Sequence, residues 1–149
     1  MKKVFILGTA LFVLSNIHAQ IDKKLMIENF TNTNCSACAS RMPGLYKNRK
    51  GQNRIFLVAY HPSSPYPSCK LNQHNKTEND GRANFYGVYG STPLLIVDGT
   101  NIGNVVFSNP SIYDTKISQK TFIQIKISQE MKGDSVENTV VFKKVSASA

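Results

Sequence analysis

Leu25-Met26-Ile27-Glu28-Asn29-Phe30-Thr31-Asn32-Thr33-Asn34-Cys35-Ser36-Ala37-Cys38 is the stretch that decides the fold. Its first six residues are mostly apolar and predict a strand, mixed rather than strictly alternating. Thr31-Asn32-Thr33-Asn34 is polar turn chemistry, and each of these residue types can cap a helix. From Cys35 to about Asn48, the residues Ala37, Cys38, Met42 and Leu45 recur at helical spacing, and Pro43 predicts a kink. Two cysteines therefore stand where a strand-following loop meets a helix. The first turn of a helix has unpaired N–H groups and the positive end of the helix dipole, and both favour a thiolate over a thiol. Residues three apart share a helical face, so the two sulfurs can meet in a disulfide.

Further along, 50–53 is a loop, and 54–60 is a continuous apolar run of the kind buried on both faces of a parallel sheet. Residues 61–79, with Pro62, Pro65 and Pro67, form a long polar stretch, a length usually tied to function or partial disorder. A short helix is predicted over 81–89, with Phe85 and Tyr89 at core spacing. Pro93 opens a strand over 93–97, Asp98-Gly99-Thr100-Asn101 is a hairpin turn, and Val105-Val106-Phe107 is the expected return strand. Pro110 starts an expected helix over 110–120. Two alternating runs, 122–128 and 136–145, flank Lys132-Gly133-Asp134 as an antiparallel hairpin. Strand–helix–strand alternation implies parallel strands with crossover helices, giving an α/β sandwich with an added antiparallel edge.

The N-terminus carries a different signal. Met1-Lys2-Lys3, an apolar run over 4–14 and a small residue at Ala19 follow the order of a secretory signal peptide, with cleavage expected after Ala19. The run is shorter than the roughly 20 residues a bilayer span needs, and no later segment is long and apolar enough to replace it. The expected organisation is a signal peptide (1–19), an α/β domain (20–120) and a C-terminal β-hairpin extension (121–149). The chain is expected to be exported, periplasmic or outer-envelope associated, with no stable membrane span. Without Lys2 and Lys3 the formal charge falls from +9 to +7. The densest basic patch, Lys47, Arg49, Lys50 and Arg54, lacks interleaved aromatics or a recognition motif. Nucleic acid is therefore not an expected partner, and the patch reads as a solvated loop, with attraction to anionic envelope surfaces as the alternative.

The chain has three cysteines, Cys35, Cys38 and Cys69, and export places them where disulfides form. Three chemistries compete for the pair. It can be a redox couple, with Cys35 the more exposed nucleophile and Cys38 the resolving thiol. It can be a structural disulfide without turnover. It can also be half of a Cys3His zinc site completed by Cys69 and His74. The βαβ context favours the redox couple, which needs no metal or cofactor. Cys69 is either a third exchanging thiol, a link to another chain, or an incidental loop cysteine. His61 ends a strand at the edge where α/β ligands bind, either as a hydrogen-bonded loop histidine or as a substrate contact or acid–base group. Tyr60, Tyr66, Phe85, Tyr86 and Tyr89 are candidates for an aromatic rim.

The first strand, the Cys35-Ser36-Ala37-Cys38 motif, the second strand, and Ser91-Thr92-Pro93 before a hairpin together resemble the thioredoxin fold. The run from Ile27 to Cys35 resembles, more narrowly, the exported thioredoxin-like envelope proteins common in Bacteroidetes. The resemblance covers about 24–106 well and the tail weakly. It implies a three-layer sandwich, a central mixed sheet flanked by helices. It also implies a thiol–disulfide oxidoreductase acting on cysteine-containing protein substrates with a separate redox partner. Pro93 would be a cis-proline opposite the cysteines, with Thr92 offering backbone hydrogen bonds to an extended substrate, and Ser36-Ala37 the dipeptide that tunes the thiolate. The sequence departs from the family at three points. Asn34 replaces an aromatic residue, Asn29 replaces a buried acid, and Ser36-Ala37 matches no familiar dipeptide. The alternative is a non-catalytic binding or structural module of the envelope with a static disulfide.

Overall fold

The computed structural model describes residues 20–103, 105 and 107–145. The expected signal peptide and Val106 of the expected return strand lie outside the described residues. The elements run β1 (Ile21–Asp22), β2 (Leu25–Phe30), α1 (Ser36–Arg49), β3 (Ile55–Tyr60), α2 (Lys70–His74), α3 (Lys76–Phe85), β4 (Leu94–Val97) and β5 (Thr100–Gly103). A 3-10 turn (Pro110–Ile112), α4 (Asp114–Ile117), β6 (Lys120–Thr121), β7 (Ile123–Lys132) and β8 (Ser135–Lys144) follow. They group into two compact units, Asp22–Thr121 and one holding 122–145.

The first unit is built on a mixed sheet in the order β3-β2-β4-β5. β2 runs parallel to β3, with Leu25 beside Ile55 and Phe30 beside Tyr60, and antiparallel to β4. Strand parity then assigns the layers. Leu25, Ile27, Ile55, Leu95 and Val97 bury against Met42 and Leu45 of α1, together with Phe107 and Tyr113. Phe30, Leu94 and Ile96 point the other way and bury against Ala83 of α3 and Val88. Each large apolar side chain so buried stabilises the fold by roughly 1.5–3 kcal/mol, which holds a helix against each face. The result is a three-layer α/β sandwich with a mixed central sheet.

Several local expectations are corrected. The strand buried on both faces is β4, all four of whose residues are buried. β3 is the edge of the sheet, and Phe56 and Val58 on it are exposed. The stretch 61–79 is not one loop, since α2 and the first turn of α3 lie in it. α3 ends at Phe85, so Phe85 and Tyr89 share no helical face and are exposed, not core. Asp98 and Gly99 sit at φ 46° and 74°, the left-handed pair of a two-residue hairpin turn. The return strand therefore starts at once as β5, and Phe107 reaches the core from a turn. In place of a helix over 110–120 there is a 3-10 turn capped by the Asn109 side chain, then one turn of α4 beyond the buried Tyr113.

Glu28 follows the predicted parity and points to the α3 side. Its carboxylate accepts from Arg82 at 2.8 Å and from the Tyr86 hydroxyl at 2.7 Å. Burial pushes its pKa up, but the bonds from Arg82 and Tyr86 more than offset this and hold it below the usual range. It is a structural ion pair on the opposite face from the cysteine helix. The second unit is the antiparallel hairpin of β7 and β8, in register from Ile123 beside Lys144 to Lys132 beside Ser135.

Candidate redox site

α1 begins at Ser36, and its N-cap is Cys35 itself, in extended backbone at φ −98° and ψ 106°. The backbone N–H of Cys38 donates to Cys35 Sγ at 3.1 Å. The capping role foreseen for the preceding polar residues thus falls to the sulfur, which sits among the free N–H groups of the first turn. Asn32, buried, fixes this loop. Its Oδ1 accepts from the Asn34 N–H at 3.0 Å, and its Nδ2 donates to the Pro62 carbonyl at 3.0 Å. Asn34 in turn donates to Ser68 Oγ at 2.9 Å. α1 continues through Pro43, whose missing N–H leaves the Ala39 carbonyl without its helical donor.

Cys35 and Cys38 are joined in a disulfide, with Cα atoms 5.2 Å apart. Cys35 Sγ lies 3.6 Å from the carbonyl oxygen of Thr92, and the Thr92–Pro93 peptide is cis. Four of the predicted site residues, Cys35, Cys38, Thr92 and Pro93, therefore meet at one end of the sheet. Cys35 is the more open of the two cysteines, as expected, but only at 3% exposure against 1% for Cys38, and both are buried. The exposed surface beside them belongs to Ser36, Ala37, Gly90 and Ser91. Thr92 Oγ1 is buried without a hydrogen-bond partner.

His61 follows β3, and its backbone is held at both ends. Its N–H donates to Asn79 Oδ1 at 2.7 Å, and its carbonyl accepts from Asn72 Nδ2 at 2.8 Å. An open cavity of about 210 Å³ is lined by Cys38, His61, Thr31, Thr33, Met42 and Tyr46. His61 thus shares a cavity with the second cysteine. Burial holds its pKa below the ordinary value, which keeps the imidazole neutral at pH 7, and Nδ1 is buried without a partner. Asn29, on the same face of β2 as Ile27, is wholly buried. Its Nδ2 lies 3.0 Å from Met42 Sδ, one helical turn beyond Cys38. An amide there cannot take up a proton.

Cys69 is buried at the start of α2, with Sγ 3.2 Å from Thr33 Oγ1. Burial alone raises its pKa. Hydrogen bonds from Thr33, Asn72 and Leu71 outweigh that and bring it below the ordinary thiol value. Among the described residues no three His, Cys, Asp or Glu side chains are grouped to hold a metal. The Cys35, Cys38, Cys69 and His74 cage is therefore not assembled. Of the aromatic candidates, Tyr60 and Tyr86 pack on Phe30, and Phe85 packs edge-on against Tyr86. The residues that sequence reasoning missed are Asn32, Asn72, Asn79 and Asp80, whose bonds organise 61–80. Asp80 accepts from the Ser63 N–H at 2.7 Å, Asn72 Nδ2 at 3.0 Å and Lys76 Nζ at 2.5 Å. Their only sequence signal was a concentration of asparagine where apolar residues are sparse.

No family model matches the chain, and no curated protein matches it. Among solved structures it is similar to the oxidized form of mitochondrial thioredoxin 3 from Saccharomyces cerevisiae. The identity is 20%, the match covers 64% of this chain and 77% of that one, and the TM-score is 0.41.

Proposed function

We propose that this chain is an exported, thioredoxin-like thiol–disulfide oxidoreductase of the cell envelope that acts on protein cysteines through Cys35 and Cys38. The observation that carries this is the placement of the Cys35 sulfur. It caps α1, takes the Cys38 N–H, and lies against the Thr92 carbonyl of the loop before β4. In the reduced protein the Cys35 thiolate attacks one sulfur of a substrate disulfide, and the other substrate sulfur leaves and takes a proton. Cys38 then gives up its proton and attacks Cys35 Sγ, the mixed disulfide breaks, and the second substrate thiol is released. The substrate gains two electrons, and the protein is left with the Cys35–Cys38 disulfide until an envelope dithiol reduces it. His61, neutral and on the cavity it shares with Cys38, takes the proton that Asn29 cannot. Thr92 and Pro93 border the place where an extended substrate segment lies. The basic start and apolar run of 1–19 are the support for export.

A second reading is a static disulfide in a binding module, and one observation favours it: both sulfurs are buried. Reduction of insulin by dithiothreitol, followed by turbidity, separates the two. The proposal expects the wild-type chain to accelerate it well above Cys35→Ser. Equal rates would leave the binding module.

A further inference from the structure

The C-terminal hairpin carries a chemistry that the redox site does not use. Ile125, Ile127 and Met131 of β7 stand in register with Phe142, Val140 and Val136 of β8. Residues directly opposite in an antiparallel pair share a face, so these six side chains form one apolar stripe. All six are exposed, from 46% for Val140 to 70% for Phe142. The opposite face carries Lys126, Glu130, Lys132, Glu137 and Lys143, with Val141 as its one large apolar side chain. Apolar on one face and charged on the other is the pattern of an antiparallel sheet with one side covered. A lone two-stranded hairpin is marginal in water, and an exposed apolar patch of several hundred Å² marks an interaction surface.

We propose that a second copy of this chain covers the stripe, two hairpins packing face to face. Three features fit a self-complementary partner. Six large apolar side chains exposed to between 46% and 70% make a patch of several hundred Å², the order of the roughly 800 Å² per partner that specific interfaces bury. Of the charged residues on the two strands only Lys144, beside Ile123 at the open end, shares the stripe's face, so the centre of the contact carries no charge. The stripe is interrupted once, by the pair Gln129 and Asn138, joined at 2.8 Å. In a two-fold arrangement these amides meet their own copies and set the register, as a single buried polar position does in coiled coils.

The test is the mass of the full chain in solution by sedimentation, from about 1 to 100 μM, beside Ile127→Glu on the stripe and Lys126→Glu on the far face. The expected result is a dimer for the wild type and Lys126→Glu, with at least a 100-fold weaker association for Ile127→Glu. A wild type that stays monomeric overturns the proposal, whether or not it binds anionic vesicles. So does a Lys126→Glu chain as weakened as Ile127→Glu. So does association lost when the chain starts at Gln20, which would assign the contact to 1–19. The wild-type mass decides even where a variant fails to fold.

Discussion

The carbonyl oxygen of Thr92 stands 3.6 Å from Cys35 Sγ, so the loop before β4 forms one wall of the disulfide. The other wall is the first turn of α1, whose Cys38 N–H points at the same sulfur. One wall carries an acceptor and the other a donor, and Cys35 lies between them. The proposed division of roles between two cysteines of nearly equal burial rests on that asymmetry. The Cys35 sulfur faces the free N–H groups of the first turn from the N-cap position, whereas Cys38 lies inside the helix.

This division predicts what single cysteine variants do. Reduced Cys38→Ser, mixed with a disulfide-bonded peptide, should accumulate a covalent adduct that intact-mass spectrometry detects. Cys35→Ser should form none. Adducts of equal yield on both variants would remove the assignment of nucleophile and resolving thiol.

His61→Gln should slow the resolving step about 10- to 100-fold and leave adduct formation unchanged, because a positioned acid–base group contributes on that scale. The wild-type resolving rate should rise with pH through the lowered histidine pKa and then flatten, and the variant should lose that rise. The same group makes stability depend on pH. Its folded pKa is below the unfolded value, so the unfolded chain binds more protons in that interval. Stability is complete above about pH 6.5 and falls as pH drops toward the folded pKa. Stopped-flow resolution and urea unfolding across pH 5–8 check both statements.

Asp80 is the hub of the segment that carries His61. Burial would raise its pKa, but bonds from Lys76, Ser63 and Asn72 bring it down to about 2. The stability it contributes is present above about pH 4 and is lost as pH falls toward 2. Asp80→Asn keeps the shape and loses the charge-assisted bonds, and should destabilise the chain by about 1–2 kcal/mol at pH 7 in urea unfolding.

Gly44 lies within α1, where alanine ordinarily gains close to 1 kcal/mol. Here a Cβ would meet Ser108 Cβ at 3.0 Å and its backbone N and Cα at 3.1 and 3.2 Å. Gly44→Ala should therefore destabilise the fold by about 1–2 kcal/mol, read as a lowered melting temperature.

The cysteine motif, its strand and its helix were legible because apolar periodicity and turn chemistry agree over 25–48. The segment 61–80 was not. In α2 and α3 the buried positions include Asn72 and Asn79, so the inward face shows no hydrophobic period, and hydrogen bonds do the work that apolar contacts do elsewhere. β3 read as a central strand because residue pattern does not reveal which strand lies at an edge. Phe85 and Tyr89 were misplaced because helical spacing was extended past the end of α3. The approach of Thr92 to Cys35 joins residues 57 apart, and only tertiary structure brings them together.

The reduction potential of the Cys35–Cys38 couple, set by equilibration against glutathione with Cys69 replaced by serine, tests the redox assignment most directly. A couple that exchanges with protein thiols should lie between about −120 and −270 mV, the span of known dithiol oxidoreductases. A value below about −300 mV, where structural disulfides lie, would contradict it and leave those two sulfurs as a fixed link.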